Sequence, residues 1–229
     1  KKYNYVEKFF ITISNDCDKF ARAVLPSNAR NKIIKLENAI NHSNFVNPKR
    51  KYDINKISLV NIGNLMAKKN QVFILDVVKY LLSKGYYTHL TLVGDGDKRN
   101  EILKYSKFLQ IENNITMAGS VDNVQTYLWE SNFYIHSAIY EPFGLVLLEA
   151  MAAKTPIICH NGRGNKDIII NNKTGFLIND LDEKKFGDII IKLFKNKKLY
   201  SKIVENAFEF SKKYDINKYI EKLLKIYKI

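Results

Sequence analysis

The feature that most restricts how this 229-residue chain can fold is an alternation along its whole length. Short, almost wholly apolar runs are separated by stretches whose apolar residues recur every three or four positions. The runs are FFITIS (9–14), KIIKL (32–36), ISLVNIG (57–63), THLTLVG (88–94), ITMAG (115–119), FYIHS (133–137), PIICH (156–160) and GFLI (175–178). The periodic stretches include NQVFILDVVKYLLSKG, KRNEILKYSKFLQ and VDNVQTYLWES, the first closing on Gly85 as a helix end should. A strand with one wet face alternates apolar and polar residues. A strand that is apolar throughout is buried on both faces, which is the condition of a parallel sheet between two helical layers. The expected class is therefore α/β, a doubly wound, Rossmann-like parallel sheet.

Residues 41–56, NHSNFVNPKRKYDINK, interrupt the alternation: they are polar, contain Pro48 and have no period. Before them stands only strand–helix–strand (1–40), too little to close a core of its own. After them a full domain is expected over 57–211. The last helix, within 212–229, has no strand to follow and is expected to pack outside the sheet or reach elsewhere. A chain that opens KKYNYVEKFF at Lys1 is expected to be part of a longer protein without a secretory leader. No run approaches the roughly eighteen apolar residues of a membrane span. Cys17 and Cys159 have no metal or redox spacing and fit buried thiols in a reducing cytoplasm. The 37 Lys+Arg against 23 Asp+Glu leave a net charge of +14. That excess fits an anionic partner, and it fits a lysine-rich compositional bias equally well. No arginine-rich run or ring-stacking motif for nucleic acid is present.

In open parallel sheets ligands bind beyond the carboxyl ends of the strands, where loops enter helix N-termini. The unusual residues cluster at those ends: Gly63, Lys68 and Lys69 after one strand, Gly94 to Asp97 after the next, Gly119 after the third, Glu141 and Gly144 after the fourth. Lysines at a helix entrance oppose the macrodipole, so Lys69 with Gly63 reads as a phosphate site or as solvated charge. GDGD (94–97) lacks the third glycine of a dinucleotide fingerprint and reads as a tight turn with an Asp cap on the next helix. His136 and His160 sit in apolar strands and read as satisfied core residues. NGRGNKD (161–167) either presents amides to a ligand or is a plain connection. Glu149 lies inside an apolar helix, and burying an unpaired carboxylate costs several kcal/mol (roughly). It needs partners, either a distant lysine or the diol of a ligand.

Taken together these residues resemble a known family. E-P-F-G-L-V-L-L-E (141–149) resembles the E-x7-E motif of retaining glycosyltransferases with the GT-B fold, family 4 above all. G-N-L-M-A-K-K-N resembles that family's G-R-L-x-x-x-K-G/N loop, and LVGDGD, ITMAG, AMAAKTPII and NGRGNKDIIINNKTGFLI follow in the same order. Upstream, ISNDC and LENAINHSNF resemble the end of the first domain and the linker.

The resemblance implies a hexosyltransferase-type enzyme that passes a sugar, with retention, from a nucleotide-diphospho-sugar to a glycan or lipid-linked acceptor. Bacterial surface polysaccharide or glycoconjugate synthesis is the implied setting. Glu149 would hold the ribose hydroxyls and Glu141 the donor sugar. The amides of Phe143, Gly144, Leu145 and Val146 would bind sugar and diphosphate, and Lys69 the diphosphate. Gly63 would allow close approach, Gly94 would belong to the donor site, and the base would lie against Met117 and Ala118. Catalysis would rest on Glu141 and Lys69, with no metal and no cofactor. Asn64 stands where the family usually has Arg, leaving that phosphate contact to Lys68, and Lys166-Asp167 stands where Pro-Glu is common. The implied division is 1–40 from an acceptor domain, 41–56 linker, 57–211 donor domain and 212–229 crossing back. The implied place is the cytoplasm, peripheral on the inner face of the cell membrane, with contact to anionic lipid and no specific nucleic acid. A non-catalytic basic module that binds nucleotide sugar, membrane or nucleic acid stands as the alternative, as does a glycosidase using the two acids. The sharpest expectation concerns Glu149: a place at the strand-end cleft, not in the dry core beside a lysine.

Overall fold

The computed structural model describes residues 9–47 and 55–227. Each apolar run forms a strand, trimmed at its ends where loop residues take over. β1 (Phe10–Thr12) and β2 (Ile33–Lys35) pair in parallel and are joined by α1 (Asn15–Val24) and α2 (Ser27–Arg30). Ser14 caps α1 by accepting from the Cys17 amide at 3.1 Å. The second unit follows as β3 (Ile57–Ile62), α3 (Gln71–Ser83), β4 (Thr88–Val93), α4 (Arg99–Phe108), β5 (Ile115–Gly119), α5 (Val124–Glu130) and β6 (Phe133–His136). It continues through α6 (Leu145–Ala152), β7 (Ile157–His160), α7 (Asn165–Ile168), β8 (Phe176–Ile178), α8 (Glu183–Lys195), α9 (Lys197–Ser211) and α10 (Ile216–Tyr227).

β3 to β8 make one parallel sheet in the order β5-β4-β3-β6-β7-β8. Both faces are dry. Ile57 and Leu59 of β3, Phe133 and Ile135 of β6 and Ile158 of β7 face a core closed by α3, α4 and α8. Val60, Tyr134, Ile157 and Cys159 face the opposite core, closed by α5, α6 and α9. This two-sided burial is why the strands read as unbroken apolar runs.

The stretch expected as a linker begins as a docked 3-10 turn at His42–Phe45. The Trp129 indole donates to the Phe45 carbonyl at 2.7 Å, and His42 meets the Ser211 hydroxyl at 2.9 Å. Residues 48–54 of that stretch lie outside the described residues. Beyond α9 the chain pairs with Ile40: the Ile40 amide donates to Tyr214 and the Ile216 amide donates back to Ile40.

One loop expectation is corrected. Lys98, not an aspartate, is the N-cap of α4 and makes no side-chain cap, while Asp95 turns back onto the Gly96 amide at 2.8 Å. GDGD is therefore a turn only. Its glycines are needed because a Cβ on Gly94 would stand 2.2 Å from the Gly63 carbonyl oxygen, and one on Gly96 would stand 2.3 Å from that of Leu65.

Candidate active site

The strand order reverses between β3 and β6, because the chain winds outward through β4 and β5 and then returns to lay β6 on the other side of β3. Loops leaving two adjacent strands there part in opposite directions and leave a crevice. The loop after β3 carries Lys69 and the loop after β6 carries Glu141. They are stitched together beneath the crevice: the Ser137 hydroxyl donates to the Lys69 carbonyl at 2.8 Å, and the Ile139 amide to the Lys68 carbonyl at 3.1 Å.

A cleft of about 350 Å³ opens at this point, lined by Gly63, Lys69, Glu141, Phe143, Gly144, Leu145, Val146 and Glu149 from the second unit. Ile13 and Asn38 of the first unit close its other side. Gly144 adopts a left-handed conformation (φ +92°) that turns the chain into α6. The Leu147 amide bonds back onto the Gly144 carbonyl at 3.0 Å, and the amides before it, from residues that line the cleft, have no hydrogen bond among the described residues. With the helix dipole behind them they favour an anion.

Lys69 and Glu141 form an ion pair in the cleft wall. Glu149, one turn further along α6, lies at intermediate exposure, and its carboxylate makes no hydrogen bond or ion pair among the described residues. Burial alone pushes its pKa up to about 7. It is thus on the cleft wall with no lysine on it, a carboxylate held at a cost and open to a donor from outside.

The other residues expected at the site do not line this cleft. Asn64 is exposed, and its carbonyl accepts from the Gln71 side chain at 3.0 Å. Lys68 points to solvent. Gly94 bonds across to Gly119 at 2.7 Å, and Met117 and Ala118 lie partly buried on β5, toward the far edge of the sheet.

The glycine-rich loop proves to be a brace. The Gly164 amide bonds the Glu141 carbonyl at 2.9 Å, the Gly162 amide bonds the His160 carbonyl at 2.8 Å, and a Cβ on Gly164 would strike the Glu141 carbonyl at 2.3 Å. Those amides are engaged within the fold. Asp167 at the loop's end grips the first unit, accepting from the Asn15 amide at 2.8 Å and from its side chain at 2.9 Å. His136 is not a satisfied core residue, because among the described residues its buried Nε2 has no hydrogen-bond partner, and His160 is not a core residue, being only partly buried at the end of β7. His136 stands directly behind the ion pair, its Nε2 3.7 Å from Glu141 Oε2. Sequence reasoning had a signal for it: His136 is the last residue of its strand, next to the site. Ile13 and Asn38 had none, since they reach the cleft only through the packing of the two units. Among the described residues no group of three or more His, Cys, Asp or Glu side chains is arranged to hold a metal ion, and no helix is long and apolar enough to cross a membrane.

Comparison with known proteins places the geometry in context. The family model described as "Glycosyl transferases group 1" matches residues 44–210. A poly(glycerol-phosphate) alpha-glucosyltransferase of Bacillus subtilis (strain 168) is 25% identical over 167 residues, 72% of this chain and 25% of that protein. An N-acetyl-alpha-D-glucosaminyl L-malate synthase of Bacillus anthracis is 32% identical over 163 residues, 70% of this chain and 42% of that one. The chain thus spans about a quarter to two-fifths of these relatives' length. Among solved structures, Anabaena HepE in complex with UDP and glucose superposes with a TM-score of 0.86 at 18% identity, over 96% of this chain and 63% of that one. A mutant of Staphylococcus aureus TarM, in complex with Fondaparinux, alpha-GlcNAc-glycerol and UDP, gives 0.84 at 21% identity, over 96% and 44%. The fold is shared with both.

Proposed function

The chain belongs to the group 1 glycosyl transferases, and on that premise we propose that it is the donor-binding half of a retaining, family 4 type hexosyltransferase of the GT-B fold. Its donor is a nucleotide-diphospho-sugar, and its acceptor is a glycan or a lipid-linked glycan in bacterial surface polysaccharide or glycoconjugate synthesis. The observation that carries this reading is the cleft at the β3/β6 crossing, where a lysine, two acids and an open helix end line one wall. Each suits one part of the donor. The Glu149 carboxylate accepts from two vicinal ribose hydroxyls. The amides at the start of α6 and the Lys69 ammonium take the diphosphate. Glu141, freed from Lys69, takes hydroxyls of the sugar.

When the bond from the sugar C1 to the diphosphate oxygen breaks, the electron pair leaves on the diphosphate. Lys69 and the helix end stabilise that charge, which is the work a metal does in other transferases. The acceptor hydroxyl oxygen bonds to C1 on the face the diphosphate leaves, as retention requires, and its proton passes to the departing diphosphate oxygen. In this reading residues 1–40 end an acceptor-side domain, 41–56 join it to the donor domain at 57–211, and 212–229 return toward it. The separate two-stranded sheet and the pairing of Ile40 with the chain beyond α9 support that division. The excess of 37 Lys+Arg over 23 Asp+Glu suits work at the anionic inner face of the cell membrane.

Calorimetric titration with UDP-, GDP- and ADP-sugars tests the reading, and saturable binding of at least one is expected. Glu149→Ala should weaken that binding by about 30- to 160-fold, the loss of two hydrogen bonds of about 1–1.5 kcal/mol each. Equal affinity in the variant would remove Glu149 from the site.

A further inference from the structure

Behind the Lys69–Glu141 pair lies a buried histidine that the proposed chemistry does not use. His136 is 1% exposed at the end of β6. Its Nδ1 is 3.0 Å from the Tyr134 hydroxyl, and the two rings stack 28° apart. Among the described residues its Nε2 has no hydrogen-bond partner, and it faces Glu141 Oε2 at 3.7 Å, the same oxygen that Lys69 holds.

A neutral imidazole carries one N–H and one lone pair, so the two contacts are coupled. If Nδ1 carried the proton it would donate to Tyr134, whose own hydrogen would go to the Ile62 carbonyl at 3.4 Å. The Nε2 lone pair would then face a carboxylate. If Tyr134 donates to Nδ1 instead, it uses the shorter of its two contacts, and Nε2–H points at the carboxylate. The second arrangement wins on both counts. The groups facing this ring are Tyr134 on its own strand, Lys69 from the β3 loop, Glu141 from the β6 loop and His160 at the end of β7.

We propose that His136 is a positioning residue for Glu141: Tyr134 fixes the ring with its proton on Nε2, and that N–H takes over the carboxylate when Lys69 turns to a bound diphosphate. The inference rests on the donor reading above. The hand-over needs a movement of under about 1 Å to reach hydrogen-bond distance. Without it, a lysine drawn to phosphate would leave Glu141, itself 8% exposed, as a buried anion with no partner from the protein. Burial, aided by the Lys69 and His160 charges, lowers the His136 pKa to about 3, so the ring stays neutral and keeps a single proton to place.

Long-range ¹H–¹⁵N spectra of the histidine rings in the full chain test this, with His136→Gln identifying the resonance. The parent should show the Nε2–H tautomer. In Lys69→Met, and in the parent saturated with UDP, the Nε2 proton should move downfield and exchange more slowly with water. Tyr134→Phe should give a mixture of tautomers. An Nδ1–H tautomer in the parent overturns the proposal, as does an Nε2–H signal identical in parent and Lys69→Met. UDP that binds with the His136 signals unmoved overturns the hand-over and leaves the donor reading intact. Absence of any heat with UDP or a nucleotide sugar counts against the donor reading, while the Lys69→Met spectrum still decides the histidine.

Discussion

At the scale of single residues, Glu149 ties stability to binding. Its carboxyl titrates near 4.5 in an unfolded chain and near 7 in the fold. Between those values the folded state binds the extra proton, so stability falls as pH rises through the window. Above it the penalty is on the order of 3 kcal/mol, at 1.36 kcal/mol per pH unit. Glu149→Gln should therefore melt with the parent near pH 4 and progressively above it toward pH 8, by several degrees, as thermal scans across pH would show. A ligand that needs the carboxylate reverses the preference: nucleotide binding near pH 6 should release a proton, visible as buffer-dependent heats, and affinity should rise toward pH 8. The acid inside an apolar helix was legible in the sequence as an anomaly. Its place at the cleft was legible only through the resemblance, and its lack of a protein partner was not legible from the residues themselves, because that depends on where neighbouring loops stop. His136 was misread for the same reason, since the alternation in FYIHS says which face a side chain shares but not whether the partner there has a free atom for it.

Secondary-structure elements were the most legible level, because burial on both faces and helical periodicity leave direct marks in the sequence. The strand ends were less so. GDGD was read through local turn and cap rules, yet its glycines answer to contact with the loop after β3, a neighbour distant in sequence. A similar demand joins two helices. Gly187 of α8 sits against the Tyr80 ring of α3, and a Cβ there would lie 2.3 Å from Tyr80 Cδ1. Gly187→Ala gains about 1 kcal/mol in helix propensity. It also drives a ring out of place between two packed helices, and overpacking of that kind typically costs about 1–3 kcal/mol. The clash should win, lowering the denaturation midpoint in urea, and Tyr80→Ala in the same chain should recover part of the alanine's gain. Gly94→Ala should be worse, since it adds a left-handed strain (φ +131°) to a contact with backbone. A loss of at least about 2 kcal/mol is expected in the same measurement.

At the scale of the molecule, two contacts hold the first unit to the second beside the cleft: Asp167 on Asn15, and Arg163 on Asp16 at 3.8 Å. Asp167→Ala removes the clamp on the first amide of α1. Amide exchange in α1 should quicken by roughly 5- to 30-fold, for about 1–2 kcal/mol, while β3 and β6 keep their protection. Unchanged exchange in α1 would show that the clamp does not hold the unit. None of these contacts was legible in the sequence, because they join residues more than a hundred positions apart without a shared period. The pairing at Ile40 has a mechanical consequence of its own. The chain leaves the first unit at Ile40 and passes it again at Asp215, and the two passes are hydrogen-bonded side by side. A single connecting strand swivels freely, whereas two strands laced together resist torsion and bend about one axis. Any swing of the β1–β2 unit is thereby reduced to a jaw-like stroke, carrying Ile13 and Asn38 toward or away from Leu145 and Val146 with little sideways slip.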